Sequence, residues 1–255
     1  MNFFLIAGII ASQTLGENYK NRFFAIFIVF AAVLIYASLL VGVMAVDEEA
    51  RVLVDSGLAL MELIALAYAL MAAAGTITRE IETKTIYLVF SRPVPKPAYL
   101  LGKTAGLYLS CALMLAVMSL IHLSLMALRG FALPVFYFKA VVFIWFKLLI
   151  ITSTAVFISL FSTSVISTVT ITAILWTLGH FTQEAKFLIE KSSGAASWAL
   201  KATAYFIPNF GLFNARDLGA RAAGGPGPVF LFIYIFLWFI VPYLFSLLLF
   251  RKKEF

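Results

Sequence analysis

From Ala140 to Gln183 the chain carries a single charge, Lys147. That run is far longer than the ~20 apolar residues that one helical crossing of a bilayer needs, so it must fold back on itself. The hydroxyl cluster Ser159, Ser162, Thr163, Ser164 is the natural place for the reversal, because such side chains satisfy backbone groups at a tight turn. This gives two antiparallel spans, near 141–160 and 165–181. Composition agrees. Of the 255 residues, 63% are hydrophobic and 12% charged, against about 45–50% and 25% in soluble domains. So few charges cannot cover so much apolar surface in water. The sequence predicts an all-α integral membrane protein.

Four further apolar runs fit the same reading, near 23–46, 57–77, 104–128 and 229–250. Residues Asp47 to Asp55 read as a short acidic loop. Asn2 to Tyr19 is apolar for too few residues to span, and suits a helix lying along the interface; a frayed terminus is the alternative. Met1 to Ile10 lack the basic start and small-residue cleavage site of a secretory signal and read as retained. Pro242 is expected to kink the last span. No internal repeat is evident, which weighs against many secondary-transporter folds. The domain reading is one unit over residues 1–255: interfacial helix 1–20, six spans, a charged segment 78–103 between spans two and three, and an outer segment 182–228.

Charge sets the expected orientation. Six spans put both termini on one side, with Lys20, Arg22, Arg79, Lys84, Arg92, Lys96, Lys103, Arg251, Lys252 and Lys253; the short loops opposite hold only Arg51, Arg129 and Lys139. By the positive-inside bias both termini face the cytoplasm, in a cell (inner) membrane. The net charge of +7 therefore reflects orientation and anionic headgroups, with no nucleic-acid partner implied.

Residues 78–103 carry the most specific pattern. Thr78 to Phe90 holds neither Gly nor Pro, so the second span can continue out of the membrane as a helix, with Ile81, Thr85, Leu88 and Val89 on one face. Ser91-Arg92-Pro93 ends it, since a residue before proline is driven out of helical geometry, and Pro93, Pro95 and Pro97 stiffen the bend that leads to Tyr99 and the third span. An ordinary basic cytoplasmic loop is the plainer account. Gly102-Lys103-Thr104 invites a phosphate-loop reading, but that loop needs a glycine where this chain has Pro97. An ATPase, if one drives this protein, is a separate chain.

These residues resemble the signature of the type-2 ABC exporter permeases: Glu80 and Glu82 before Thr85, then Ser91-Arg92-Pro93-Val94, then Tyr99-Leu100 and Gly102-Lys103. Family members often carry Gly just before the Thr, where this chain has Lys84. The layout is also similar, with an interfacial first helix, six spans and a long segment before the last. The resemblance implies a coupling helix that docks on an ATP-binding ABC subunit through Glu80, Glu82, Thr85, Leu88, Ser91, Arg92, Pro93, Val94, Tyr99 and Lys103. It implies ATP and Mg on that partner, no cofactor and no catalytic residue on this chain, and a second permease copy or a similar chain completing the path. A membrane anchor that docks an ATPase without transport, and a membrane-embedded enzyme, are the other function classes.

Other candidates are sparser. Glu62 and Lys147 are ionisable groups inside spans. They either pair with one another or each snorkel to the outer headgroups. His122 and His180 lie near outer span ends with no second ligand at helical spacing, so they read as interfacial polar residues and no metal site is expected. Cys111 reads as a packed small apolar residue. In the outer segment, Trp198, Tyr205, Phe206, Pro208 and Phe210 suit an aromatic lid that dips back toward the membrane, as in the family resembled; a flexible external loop is the alternative.

Overall fold

A computed structural model of the chain describes residues 2–45, 48–132, 134–162, 164–191, 194, 197–198, 201, 205–214 and 227–252. Among the described residues the regular structure is entirely helical: α1 (Phe3–Lys20), α2 (Arg22–Met44), α3 (Glu49–Glu82), α4 (Thr85–Phe90), α5 (Lys96–Leu128), α6 (Phe136–Ser159), α7 (Val165–His180), α8 (Thr182–Lys191), a 3-10 turn (Phe210–Phe213) and α9 (Pro228–Lys252). Five of these, α2, α3, α5, α6 and α9, are long and apolar enough to cross a membrane, and α7 is a shorter apolar helix. Several long apolar helices suggest a multi-pass membrane protein.

The helices are longer than the apolar runs. At 34 residues α3 is about 51 Å long, well beyond a hydrocarbon core of ~30 Å. It begins inside the expected acidic loop, because nothing between Glu49 and Gly57 breaks a helix and Glu49 suits the positive end of the helix dipole. Similarly, α5 starts at Lys96 instead of near Thr104, with Pro95 as its N-cap and Pro97 in its first turn. Proline is tolerated there, where its missing N–H has no intrahelical acceptor. The irregular bend is thus confined to residues 91–95. At the α6–α7 reversal, Ser164 caps α7 through its side chain, which accepts from Ser167 N at 3.2 Å.

The central helix is α3, which packs on α2, α5, α6 and α7. Of its most apolar 18 residues 61% are buried, against 22% in α2 and in α9, so those two form the flanks and leave Phe30, Val33, Phe236 and Leu244 exposed. Small residues let the helices approach. Ala69, Ala73 and Ala74 of α3 are fully buried.

The first helix, α1, lies against the first half of α5. A Cβ on Gly102 would stand 2.6 Å from Ile10 Cβ, and one on Gly106 2.6 Å from the Ala11 carbonyl oxygen. Only glycine fits at either position. Asn21 separates α1 from α2 with extended backbone, and its Oδ1 accepts from Phe23 N at 3.0 Å.

Candidate functional site

The end of α3 that carries α4 holds most of the residues of the Glu80–Lys103 pattern. The helix ends at Glu82, and Lys84 takes left-handed backbone, φ 58°, before α4 begins. Left-handed backbone costs a residue with a Cβ roughly 1–2 kcal/mol. The joint is held locally by Thr83 Oγ1, which donates to Arg79 O at 2.7 Å and lies 3.0 Å from Thr85 Oγ1. Ile86 is wholly buried against the body, while Tyr87 and Leu88 are 51% and 72% exposed. Glu82, Thr85, Ser91, Arg92 and Pro93 are exposed as well, and Val94 is half-buried.

The structure separates this set into an outward and an inward group. Tyr99 and Lys103 are buried, at 1% and 5% exposure, so neither presents a docking contact as the resemblance implied. The reason is the early start of α5, which turns both side chains into the helix bundle. The Tyr99 hydroxyl donates to Glu80, and the Lys103 ammonium pairs with Glu80 and, at 3.4 Å, with Glu17 of α1. The Tyr99 ring stacks on Phe250 of α9 (centroids 5.6 Å, 8° apart) and lies 5.3 Å from Phe90 of α4. These contacts tie α1, α3, α4, α5 and α9 together behind the exposed face of α4.

A second charged cluster lies further along α3. Lys147 is 1% exposed, so it does not snorkel. Its Nζ donates to Glu62 Oε1 at 2.6 Å and to Asn214 Oδ1 at 2.7 Å. His180 Nε2 stands 3.3 Å from the same Glu62 oxygen, and the Lys147 ammonium lies 6.0 Å from the Trp176 ring centroid. The pairing reading therefore describes Glu62 and Lys147, and His180 belongs to their cluster rather than to an interface. Low dielectric explains the arrangement: a lone buried charge is so costly that it recruits every polar neighbour in reach.

His122 is also corrected. It is fully buried, with Nδ1 3.1 Å from the Tyr137 hydroxyl and Nε2 3.2 Å from Leu53 O. Its ring fills the space left by Gly57, where a Cβ would collide with it. Cys111 is buried, as its apolar surroundings demand.

The aromatic residues of the outer segment divide. Trp198, Tyr205 and Phe206 are exposed, whereas Pro208 and Phe210 are buried. Phe210 packs on Trp176 (4.6 Å) and His180 (5.4 Å) and passes so close to Gly179 that a Cβ there would stand 2.5 Å from its ring. Asn209 accepts from Thr182 Oγ1 at 2.7 Å, and its backbone N–H donates to the Tyr234 hydroxyl at 2.6 Å. The turn thereby seats Asn214 on Lys147. Half of residues 197–206, and all of residues 215–226, lie outside the described residues.

Sequence reasoning missed Glu17, Asn214 and the pair Gly102/Gly106. The last was readable as a small-xxx-small spacing of the kind that lets helices touch. The first two are distant in sequence from what they bind and left no local signal. No protein-family model matches the chain, and a comparison with curated proteins gives no match.

Proposed function

We propose that this chain is the membrane subunit of an ATP-driven transporter of the type-2 ABC exporter kind, with ATP hydrolysis on a separate subunit. The observation that carries the reading is α4. It is a short helix set off from the end of α3 by a left-handed residue, anchored by buried Ile86 and by the Phe90–Tyr99–Phe250 ring cluster, with Tyr87, Leu88 and Arg92 left exposed. A short helix with Tyr87 and Leu88 outward and Arg92 just beyond its end, backed by the four helices α1, α3, α5 and α9, can pass a push from a soluble partner into the bundle.

In this reading α7 is the sixth crossing, both termini and α4 face the cytoplasm of a cell membrane, and two copies, or this chain and a similar one, enclose the path. The protein itself is not an enzyme. Closing of the two ATPase subunits would drive the α4 helices and rock the halves.

Co-purification tests it. The chain should come out of the membrane with an ATP-binding subunit, and Arg92→Glu or Leu88→Asp should release that subunit without lowering the melting temperature of the purified chain. Cysteine labelling at position 88 should succeed only from the cytoplasmic side. Labelling from the opposite side, or a complex undisturbed by both substitutions, would refute the proposal.

A further inference from the structure

Between α1, α2, α3 and α5, at the end that carries α4, lies a cavity of about 200 Å³. Two hydroxyls line it on side chains 2% and 4% exposed: Thr14 Oγ1, which has no hydrogen-bond partner, and Tyr68 OH, which has only Ser110 beside it. Buried polar atoms are seldom left so. The nearby Ser110 is already engaged, accepting from Asn18 Nδ2 at 3.0 Å and donating to Gly106 O at 2.8 Å. The pattern is that of a site awaiting acceptors.

The charges have an order along the cavity. Lys103 is taken by Glu80 and Glu17, whereas among the described residues no carboxylate pairs with Arg79. The Arg79 side chain folds back over Gly75, where a Cβ would stand 3.1 Å from its Nε. Tyr68 lies seven residues, about 10 Å of helix, deeper along α3. The Glu17 side chain is half exposed at the mouth. The wall therefore offers at the outer end a guanidinium without a carboxylate partner and the Glu17 carboxylate, whose oxygens accept from Gln13 Nε2 at 2.9 Å and face Lys103 but keep lone pairs for a further donor, with two hydroxyls further in. Phe23 and Phe27 form its α2 side, continuous with exposed apolar Ile26 and Phe30.

A phospholipid with an ethanolamine headgroup presents the complementary order: ammonium and phosphate outermost, ester carbonyls several ångströms deeper, tails beyond. We infer that this cavity binds the headgroup and glycerol ester region of such a lipid. The phosphate sits on Arg79, the ammonium on Glu17, and the ester carbonyls accept from Tyr68 and Thr14. A volume near 200 Å³ holds only that part, so the tails leave along the apolar face of α2. The assignment stands whether or not α4 docks an ATPase.

Native mass spectrometry of the full chain in detergent tests it, with phosphatidylethanolamine, phosphatidylcholine and phosphatidylglycerol of identical acyl chains. The ethanolamine lipid should be retained at about tenfold lower concentration than the other two, the size of one good charged contact. Arg79→Gln should weaken its retention by about tenfold, and Tyr68→Phe and Thr14→Val by about three- to tenfold each. Glu17→Gln should abolish the preference over phosphatidylglycerol while leaving phosphatidylglycerol binding intact, which general damage to the fold would not produce. Equal retention of all three lipids, or retention untouched by the Arg79 and Tyr68 substitutions, overturns the proposal. Competition by soluble glycerophosphoethanolamine at a comparable concentration would assign the cavity to a water-borne phosphate ester and overturn the lipid assignment.

Discussion

The two charged clusters on α3 use the same chemistry in opposite settings. Around Lys147 the lysine side chain is 1% exposed, and that of its carboxylate partner, Glu62, is 16% exposed. Around Lys103 the lysine side chain is 7% exposed, but those of its partners Glu80 and Glu17 are 22% and 52% exposed. One borders a small cavity of about 20 Å³ beside Phe213 and Asn214; the other opens onto a cavity of about 200 Å³ and, through Glu80 and Tyr99, onto the base of α4. In the deeper pair each charge depends on its partner and a few polar neighbours, while in the more open one water supplies more of the solvation. The same ion pair is therefore a rigid fastener at one place and an adjustable contact at the other.

Substitutions can break this contrast. Lys147→Met should have the largest effect, lowering stability by about 3–5 kcal/mol because it strands a buried carboxylate. Adding Glu62→Gln should restore much of the loss, so thermal unfolding of both singles and the double would give strong coupling. Additive losses would mean that the two groups do not depend on one another. Gly106→Leu comes next. It drives a side chain into the backbone of α1 and should cost about 1–3 kcal/mol, detectable as a lowered melting temperature and easier proteolysis within residues 3–20. Lys103→Met should cost about 1–2 kcal/mol, between the buried and surface cases, since Glu80 keeps the Tyr99 hydroxyl. Glu17→Gln should change stability by less than about 1 kcal/mol, and raising salt should erase the difference. A Glu17 effect as large as that of Lys147 would end the distinction between the two ends.

Much of the helical layout was legible because apolar length is a one-dimensional signal. Five of the six helices expected to cross are long and apolar enough to do so, the sixth, α7, is shorter, and the Ser164 cap stands where the hydroxyl cluster foretold a reversal. Their limits were not legible, because Glu49 and Pro97 mark polarity in the sequence while the helix obeys local backbone rules and runs on past the apolar stretch. The charged residues inside spans were found as exceptions, but not their partners. Glu62, Lys147, His180 and Asn214 come from four separated segments, and no spacing rule joins them. His122 was misplaced for the same reason: its acceptor on Leu53 and its pocket over Gly57 are properties of packing.

The unbroken course of α3 has one further consequence. No proline interrupts Glu49–Glu82, and the Ser56-Gly57 pair lies outside the stretch from Glu62 to Glu80, so that stretch bends only gently. Glu80 and Glu62 are 18 residues apart, about 27 Å, so pivoting the rod by about 5° at Glu80 would swing Glu62 by about 2 Å. The Lys147 contact is only 2.6 Å long and has no slack for such a swing. A torque applied at the Glu80 end of α3 would thus be felt as a parted or preserved bond at Glu62, with a single stiff beam as the only moving piece required.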